Sequence, residues 1–258
     1  MKTAGKKPMH VVSAWATENR LVLAQVATEQ KSNEITAIPH LLRMLDLSGC
    51  IVTIDAMGLQ KKIVKQIVDQ QGDYGIALKK NHKGLYEQVR TIFEMAHQDQ
   101  FAHVKHQQTH IVNKGHGRLE TRTYWIIDDE SCITSLNPDG AWEKLRSIGM
   151  VQSTRCIGQK MTTEVRYYLL SIDGDALQFA HAVRSHWEIE NSVHWVLDVT
   201  FHEDFSRMRT GHSDHNFAIL RHIALNLLRK EQTAKSSIRT KRLKAGWNTD
   251  YLEKVLLG

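Results

Sequence analysis

The sequence contains little cysteine and no long apolar run. Its three cysteines, Cys50, Cys132 and Cys156, are an odd number and form no CxxC pair. This usage argues against a disulfide framework or a cysteine-based zinc site, and it fits a reducing cytoplasm. No apolar stretch approaches the roughly 20 residues that are needed to cross a bilayer, so we expect no membrane partner. Internal repeats and low-complexity segments are also missing.

The remaining composition is that of an ordinary globular protein with a basic balance. Hydrophobic residues make up 41% and charged residues 24% of the 258 positions, which suits one large domain or two small ones. The formal net charge is +6 and the pI is about 9.2. Such a balance favours a polyanionic partner, of which nucleic acid is the commonest.

The first hundred residues alternate between strand and helix patterns. The patterns predict a hairpin over residues 9–27, a strand over 50–55, a helix over 59–71, a strand over 74–78 and a helix over 84–96. Strand, helix, strand and helix in succession imply a parallel α/β sheet, whose ligands bind beyond the carboxyl ends of the strands. Asp55, Lys79 and Lys80 should therefore lie on one rim of the sheet.

Residues 101–172 change to a polar β alternation with turns, which predicts an antiparallel β insertion. Arginines recur along its predicted strands, at Arg118, Arg122, Arg155 and Arg166. One interpretation is a face that meets an anion. The other is the ordinary solvent-facing charge pattern of an antiparallel sheet.

The stretch Arg184–Arg207 contains no proline or glycine, and its first half has helical periodicity. On a helical wheel Glu190 falls at the centre of an apolar stripe that includes Phe179, Val183 and Leu197. A buried glutamate requires a metal ion, a cation or a raised pKa. The alternative is a glutamate at the helix edge that reaches solvent or pairs with His186 or His194.

Asp55 and Glu190 are thus two carboxylates on different predicted elements. Carboxylates from different elements can share hard divalent cations, and two such ions can assist phosphoryl transfer. Together with the basic rim they favour metal-dependent phosphodiester chemistry. After residue 228 the chain becomes a basic tail, which is either a solvated face or a segment that contacts phosphates.

The motifs resemble those of insertion-sequence transposases with an Asp-Asp-Glu active site, in the branch of H-repeat-associated proteins of Rhs elements. The similar stretches cover nearly the whole chain: HVVSAWA (10–16), VTIDAMGLQ (52–60), ALKKNHKGLY (77–86), HGRLETR (116–122), VRYYLLS (165–171) and RSHWEIENSVHWVLDVTFHED (184–204). The resemblance implies a ribonuclease H-like mixed α/β sheet with an antiparallel β insertion before the helix that carries the catalytic glutamate.

The resemblance also implies roles for individual residues. Asp55 falls on the second catalytic Asp and Glu190 on the catalytic Glu, and both would be metal ligands for Mg²⁺ or Mn²⁺, with two ions expected in complete family members. Double-stranded DNA with terminal inverted repeats would be the partner, near the nucleoid, and a homodimer is possible. The residues expected to contact DNA are Lys79, Lys80, Arg118, Arg122 and Arg184, and those expected to shape the site are Trp187, Asn191 and His194.

One departure from the family pattern concerns the first catalytic Asp, which the family carries in an Asp-Gly-Lys motif on its first strand. No Asp precedes Asp46 here. We therefore expect a truncated, inactive transposase that lacks the first strand. The expected divisions are residues 1–100 and 173–228 for the core, 101–172 for the β insertion and 229–258 for the basic tail.

Two other functions are compatible with the sequence. One is a non-catalytic DNA-binding remnant that retains the basic surface. The other is a metal-dependent hydrolase that acts on a different phosphate ester.

Overall fold

A computed structural model describes residues 10–28, 34–115, 117–208 and 210–258. Residues 1–9, which include the start of the predicted hairpin and the region of the expected missing strand, lie outside them. The chain divides into two compact units. The sheet unit is Asp46–His186, and the helical unit comprises the described parts of Met1–Leu45 and Trp187–Gly258.

The described strands form a mixed sheet in the sheet unit and a hairpin in the helical unit. They are β1 (His10–Ala16), β2 (Leu21–Thr28), β3 (Ile51–Ile54), β4 (Asp73–Leu78), β5 (His106–Gly115), β6 (Arg118–Ile127), β7 (Ser147–Ile157) and β8 (Lys160–Leu170). The order in the six-stranded sheet is β3-β4-β8-β7-β6-β5. Strands β3 and β4 are parallel, and all other neighbours are antiparallel. The predicted β insertion is therefore antiparallel, and it continues the same sheet through the β4–β8 pair.

The described helices are α1 (Glu34–Leu42), α2 (Lys61–Asp69), α3 (Lys83–Gln98), α4 (Glu130–Leu136), α5 (Ala176–Ile189), α6 (Trp195–Phe201), α7 (Ser213–Lys230), α8 (Ile238–Trp247) and α9 (Thr249–Leu257). The predicted succession of β3, α2, β4 and α3 is confirmed. In the described parts of the chain, no helix combines the length and apolar character that crossing a bilayer requires.

The core of the sheet unit forms where α5 packs on one face of the sheet. Phe179 of α5 is fully buried and meets the rings of Tyr124 and Tyr168 at 5.9 and 5.3 Å. It also lies over Gly149, where a Cβ atom would come within 2.4 Å of its ring. Glycine is therefore required on β7 for the helix to approach this closely. Asp175 begins α5 by accepting hydrogen bonds from the backbone amides of Leu177 and Gln178 at 2.9 Å each.

The helical unit is linked by polar contacts as well as by apolar ones. The β1–β2 hairpin is antiparallel, as predicted. The Asn226 side chain of α7 accepts from the Val22 amide at 3.0 Å and donates to the Val22 carbonyl at 2.8 Å. A small apolar cluster of Val22, Val193, Val196, Leu197 and Leu225 completes this connection.

Residues 229–258, predicted to be a basic tail, contain the two helices α8 and α9. Lys241 is buried beside Glu231, with 3.5 Å between its Nζ atom and the carboxylate, and the Tyr251 hydroxyl donates to the same carboxylate at 2.6 Å. Hydrogen bonds from Thr233 and Tyr251 lower the pKa of Glu231 to about 2. Lys241 is thus enclosed in the fold rather than presented to a phosphate.

Candidate active site

Asp55 follows the last residue of β3, at the rim where the parallel strands β3 and β4 end. Lys79 is the first residue after β4, and its charge acts on the Asp55 carboxylate. Two side chains connect the loops beyond these strands: Asn81 donates to the Ala56 carbonyl at 2.9 Å, and the His82 ring lies 2.7 Å from the Leu59 carbonyl. The predicted rim of Asp55 and Lys79 is confirmed, because both follow adjacent parallel strands. Lys80 is exposed in the same loop.

The Asp55 carboxylate is surrounded by basic groups. Its side chain is 73% exposed, and Oδ1 lies 3.7 Å from Nε2 of His186 on α5. The interaction with His186 lowers the pKa of Asp55 most strongly, burial opposes this effect, and the charges of Lys79 and Arg166 lower the pKa further. The carboxylate is therefore anionic at neutral pH and accessible, which suits a hard cation.

The sequence alone did not reveal the positions of His186 and Arg166 beside Asp55. Leu78 of β4 pairs with Tyr167 of β8, so Arg166 lies opposite the residue that follows β4. This pairing joins positions almost ninety residues apart, and no local sequence pattern predicts it. The sequence indicates His186 only as a possible partner of Glu190.

The four arginines of strands β6, β7 and β8 share one face of the sheet. In antiparallel strands directly opposed residues, and residues two apart, lie on the same face. Between β6 and β7, the register pairs Arg118 with Ile157, Glu120 with Arg155, and Arg122 with Ser153. Between β7 and β8, it pairs Ser153 with Glu164. This face also carries Arg166, and its inner part lies under α5. The uncovered outer part, which we call the arginine face, contains Arg118, Glu120, Arg122, Arg155, Lys160, Glu164 and Arg166.

Charges on the arginine face are partly paired. Arg122 forms an ion pair with Glu120, and Arg166 binds Glu164 with nitrogen–oxygen distances of 2.7 and 3.0 Å. Arg184 on α5 is exposed, and its charge acts with that of Arg122 to lower the pKa of Tyr124, which burial raises. Arg122 and Arg184, two of the residues predicted to contact DNA, thus both lower the pKa of Tyr124. Arg118 lies at the far end of β6.

Glu190 opens a π-helical segment, Glu190–His194, between α5 and α6. Its side chain is 62% exposed, and Oε2 lies 3.0 Å from Nδ1 of His194. The predicted buried position in an apolar stripe is wrong, and the alternative of a solvent-reaching glutamate paired with His194 is confirmed. A π turn contains more residues than an α turn, so a wheel of constant 100° steps does not continue through it. Phe179 and Val183 belong to one core, and Val193 and Leu197 to another.

The other residues predicted to shape the site lie next to Glu190 in the chain, Trp187 in α5 and Asn191 and His194 in the π-helical segment. Trp187 is 43% exposed, and the Asn191 amide donates to the Trp187 carbonyl at 3.2 Å. Beyond them lies a group that the sequence did not single out. Oε1 of Glu203 lies 3.6 Å from Nη1 of Arg221, and burial raises the pKa of Glu203.

Asp55 belongs to the sheet unit and Glu190 to the helical unit. Both are exposed carboxylates, and oxygen donors of this kind suit Mg²⁺ or Mn²⁺. Among the residues that the structure describes, no three His, Cys, Asp or Glu side chains form a group that could hold a metal ion. The donor type of these two carboxylates therefore fits the expected metal.

Comparisons with known proteins give consistent results. Residues 2–227 match the family described as Transposase DDE domain. The chain is 41% identical over 256 residues to "Putative transposase YncI" of Escherichia coli O157:H7, covering 97% of this chain and 64% of that protein. It is 39% identical over 261 residues to "H repeat-associated putative transposase YhhI" of Escherichia coli K12, covering 100% of this chain and 68% of that protein. The chain thus spans about two thirds of the length of these relatives.

Proposed function

Because this chain belongs to the Transposase DDE domain family, and is similar to H-repeat-associated transposases as its motifs predicted, we propose that it functions in DNA transposition. Its substrate would be double-stranded DNA at terminal inverted repeats, and its reaction metal-dependent cleavage and strand transfer at phosphodiesters. Binding to DNA would bring it to the nucleoid, and it would act as a homodimer. A ribonuclease H-like core, divided by the β insertion at residues 101–172, belongs to the same proposal.

The observation that carries this proposal is the anionic Asp55 carboxylate among basic groups at the sheet rim. Lys79 and Arg166 act on this carboxylate electrostatically, and the arginine face continues from Arg166 along the sheet. Such a surface attracts a polyanion, and the exposed carboxylate supplies the acidic group that phosphodiester chemistry requires. Carboxylates that are only structural are usually paired inside the fold, as Glu231 is.

Each residue has a defined part in the proposed reaction. Asp55 and Glu190 would each serve as a ligand for divalent metal, which when bound would activate a water or 3′-hydroxyl and stabilise the charge that develops on the phosphate. The interaction with His186 lowers the pKa of Asp55 further below its ordinary value. Lys79, Lys80, Arg118, Arg122 and Arg184 would bind backbone phosphates, while Trp187, Asn191 and His194 shape the helix around Glu190.

No Asp precedes Asp46 in these 258 residues, so Asp55 and Glu190 are the two acidic ligands that this proposal names. The family match does not favour a non-catalytic remnant, but the remnant remains a defined outcome of the test.

The test is nicking of a supercoiled plasmid with and without Mg²⁺. If the wild-type protein cleaves, Asp55→Ala and Glu190→Ala should each reduce cleavage roughly 1000-fold, since a metal ligand supplies several kcal/mol of transition-state stabilisation. Two exposed carboxylates serve as matched controls, Asp69→Ala on α2 and Glu188→Ala two positions before Glu190. Cleavage that persists unchanged in Asp55→Ala would overturn the proposed role of Asp55.

Binding is measured in parallel as a function of salt concentration. Arg118→Ala should weaken binding similarly for all DNA sequences and reduce the slope of log K against log salt by about 1, because one phosphate contact is lost. Salt-sensitive binding without cleavage would identify a DNA-binding remnant. No affinity for DNA at low salt would favour a hydrolase of another phosphate ester.

A further inference from the structure

The π-helical segment that carries Glu190 accepts a hydrogen bond from Arg229, which follows Ser192 by 37 positions. The Trp195 amide bonds to the Glu190 carbonyl, five residues back, which defines the π turn. Within the turn, the Ser192 carbonyl accepts a short hydrogen bond from Nη2 of Arg229 on α7. A π turn is held where neighbouring groups compensate for its irregular backbone bonding, and Arg229 supplies such a group.

Arg229 is itself held in place by the hairpin. Its guanidinium lies 4.6 Å from the centre of the Trp15 ring on β1, a cation–π arrangement. Burial lowers its pKa to about 10, so it stays charged at neutral pH. Nη1 is enclosed with no hydrogen-bond partner among the described residues. The side chain is therefore clamped between the Trp15 ring and the π turn rather than directed into solvent.

The hairpin and α7 are joined independently by Asn226, which bonds to both backbone polar groups of Val22. Asn226 precedes Arg229 by three residues, so the two side chains lie on neighbouring positions of one helical face. The Trp15 ring is consequently fixed relative to α7 before Arg229 is considered. This arrangement gives the guanidinium one defined position from which to reach Ser192.

We infer that Arg229 is a positioning residue, which sets the direction of Glu190 by holding the π turn through the Ser192 carbonyl. The inference rests on the proposed function for the role of Glu190 as a metal ligand. Without the guanidinium, the turn loses the group that fixes its carbonyl, and Glu190 and His194 are no longer held in their observed directions. A lysine can place a positive charge here, but it lacks the planar fork that stacks on Trp15 while donating to Ser192.

Amide hydrogen exchange tests the inference without requiring activity. In Arg229→Ala, the amides of residues 190–197 should exchange at least 10-fold faster, and Arg229→Lys should give an intermediate increase. The matched control is Lys230→Ala, which removes one positive charge from the adjacent, exposed position. The control should leave exchange in residues 190–197 unchanged, because Lys230 does not hold the π turn.

The outcomes distinguish the inference from the proposed function. Wild-type exchange rates in both Arg229 variants, or equal increases in Lys230→Ala, would overturn the inference. Arg229→Ala could instead accelerate exchange throughout the chain, and the test then uses Arg229→Lys alone. In Arg229→Lys, faster exchange confined to residues 190–197 supports the inference. Wild-type exchange rates in those residues overturn it. Binding of Mn²⁺, followed by paramagnetic broadening of the signals of residues 186–198, is measured on the same variants. Exchange in residues 190–197 could increase in Arg229→Ala while Mn²⁺ broadens no signals of the wild-type protein. This result would support the contact between Arg229 and the π turn and contradict the metal role of Glu190.

If the wild-type protein binds Mn²⁺ near Glu190, Arg229→Ala should raise the Mn²⁺ concentration for half-maximal broadening about 10-fold. An unchanged Mn²⁺ concentration together with faster exchange would show that Glu190 binds metal without help from Arg229. That result would overturn the positioning role and leave the proposed function intact.

Discussion

The two compact units hold their acidic residues in different ways. In the sheet unit, Asp55 stands at the end of a strand whose sheet is packed by large apolar groups, with Phe179 fully buried against Tyr124 and Tyr168. In the helical unit, Glu190 stands in a π turn. The surrounding elements there are joined by polar links, which are partly buried for Asn226 with Val22 and Arg229 with Ser192 and buried for Lys241 with Glu231.

This difference decides how sensitive each carboxylate is to change. Apolar packing is non-directional, so a strand end keeps its place as long as the core is filled. Polar links are directional, and a buried group that loses its partner carries the full cost of desolvation. We therefore expect the sheet unit to respond mainly to loss of volume, and the helical unit to loss of single charges and to acid.

The largest expected effect tests the apolar side of this comparison. Phe179→Ala should lower the free energy of unfolding by about 3–5 kcal/mol, since it removes a fully buried ring and leaves a cavity under α5. Urea unfolding measures the change. The control is Leu177→Ala on the same helix, whose side chain is 69% exposed and should cost less than about 0.5 kcal/mol. Equal effects of the two variants would contradict the view that α5 is held by this core.

The next effect tests the polar side. Glu231→Gln should cost about 3 kcal/mol at neutral pH, because the buried Lys241 loses the carboxylate that balances its charge and retains only the backbone carbonyls of Leu228 and Glu231. The pKa of Glu231 is about 2 in the folded chain and 4.5 ordinarily, so its contribution is present above about pH 4.5 and is lost as the pH falls towards 2. Urea midpoints at pH 6 and pH 3 should therefore differ less in the variant than in the wild type.

Glu253→Gln on α9, which alters an exposed glutamate, provides the control and should preserve the wild-type response to acid. If Glu231→Gln and the wild type lose stability in parallel between these pH values, the buried pair is not the source of acid sensitivity.

The smallest expected effect concerns the pKa of Asp55. His186→Ala should raise the pKa of Asp55, because the interaction with His186 is the largest influence that lowers it. The stability linked to Asp55 is present above its unfolded pKa and is lost as the pH falls through the lower folded pKa, so the variant loses it at higher pH. With so exposed a carboxylate the change in stability should stay below about 1 kcal/mol. Carboxyl chemical shifts measured during an NMR titration give the pKa, and His181→Ala on the same helix is the control.

Much of the sheet unit could be predicted from local patterns. The apolar run before Asp55 and the helical spacing of α2 predicted a strand and a helix, and strand–helix–strand order predicted the parallel pair that places Asp55 beside Lys79. The alternation in β5 to β8 predicted antiparallel strands. These predictions succeed because apolar residues at a regular period record which face of an element is buried.

The Glu190 region could not be predicted in the same way. The sequence predicted a helix and identified its glutamate, but the wheel placed that glutamate inside an apolar stripe, and the structure places it in solvent. A π turn depends on the balance between the backbone bonds it disturbs and the groups that compensate them. Here one such group, Arg229, lies 37 positions after Ser192, whose carbonyl it binds.

The sequence by itself determined the family, the order of most elements and the identity of Asp55 and Glu190 as the notable carboxylates, because motif and periodicity are local properties. Only the tertiary structure decided that Arg166 and His186 flank Asp55, that the insertion extends the β3–β4 sheet, and that Lys241 is buried with Glu231. Each of these depends on strand register or on directional polar contacts between distant segments. Such contacts form only when the folded chain brings specific donors and acceptors within hydrogen-bonding distance, and no periodic pattern encodes them.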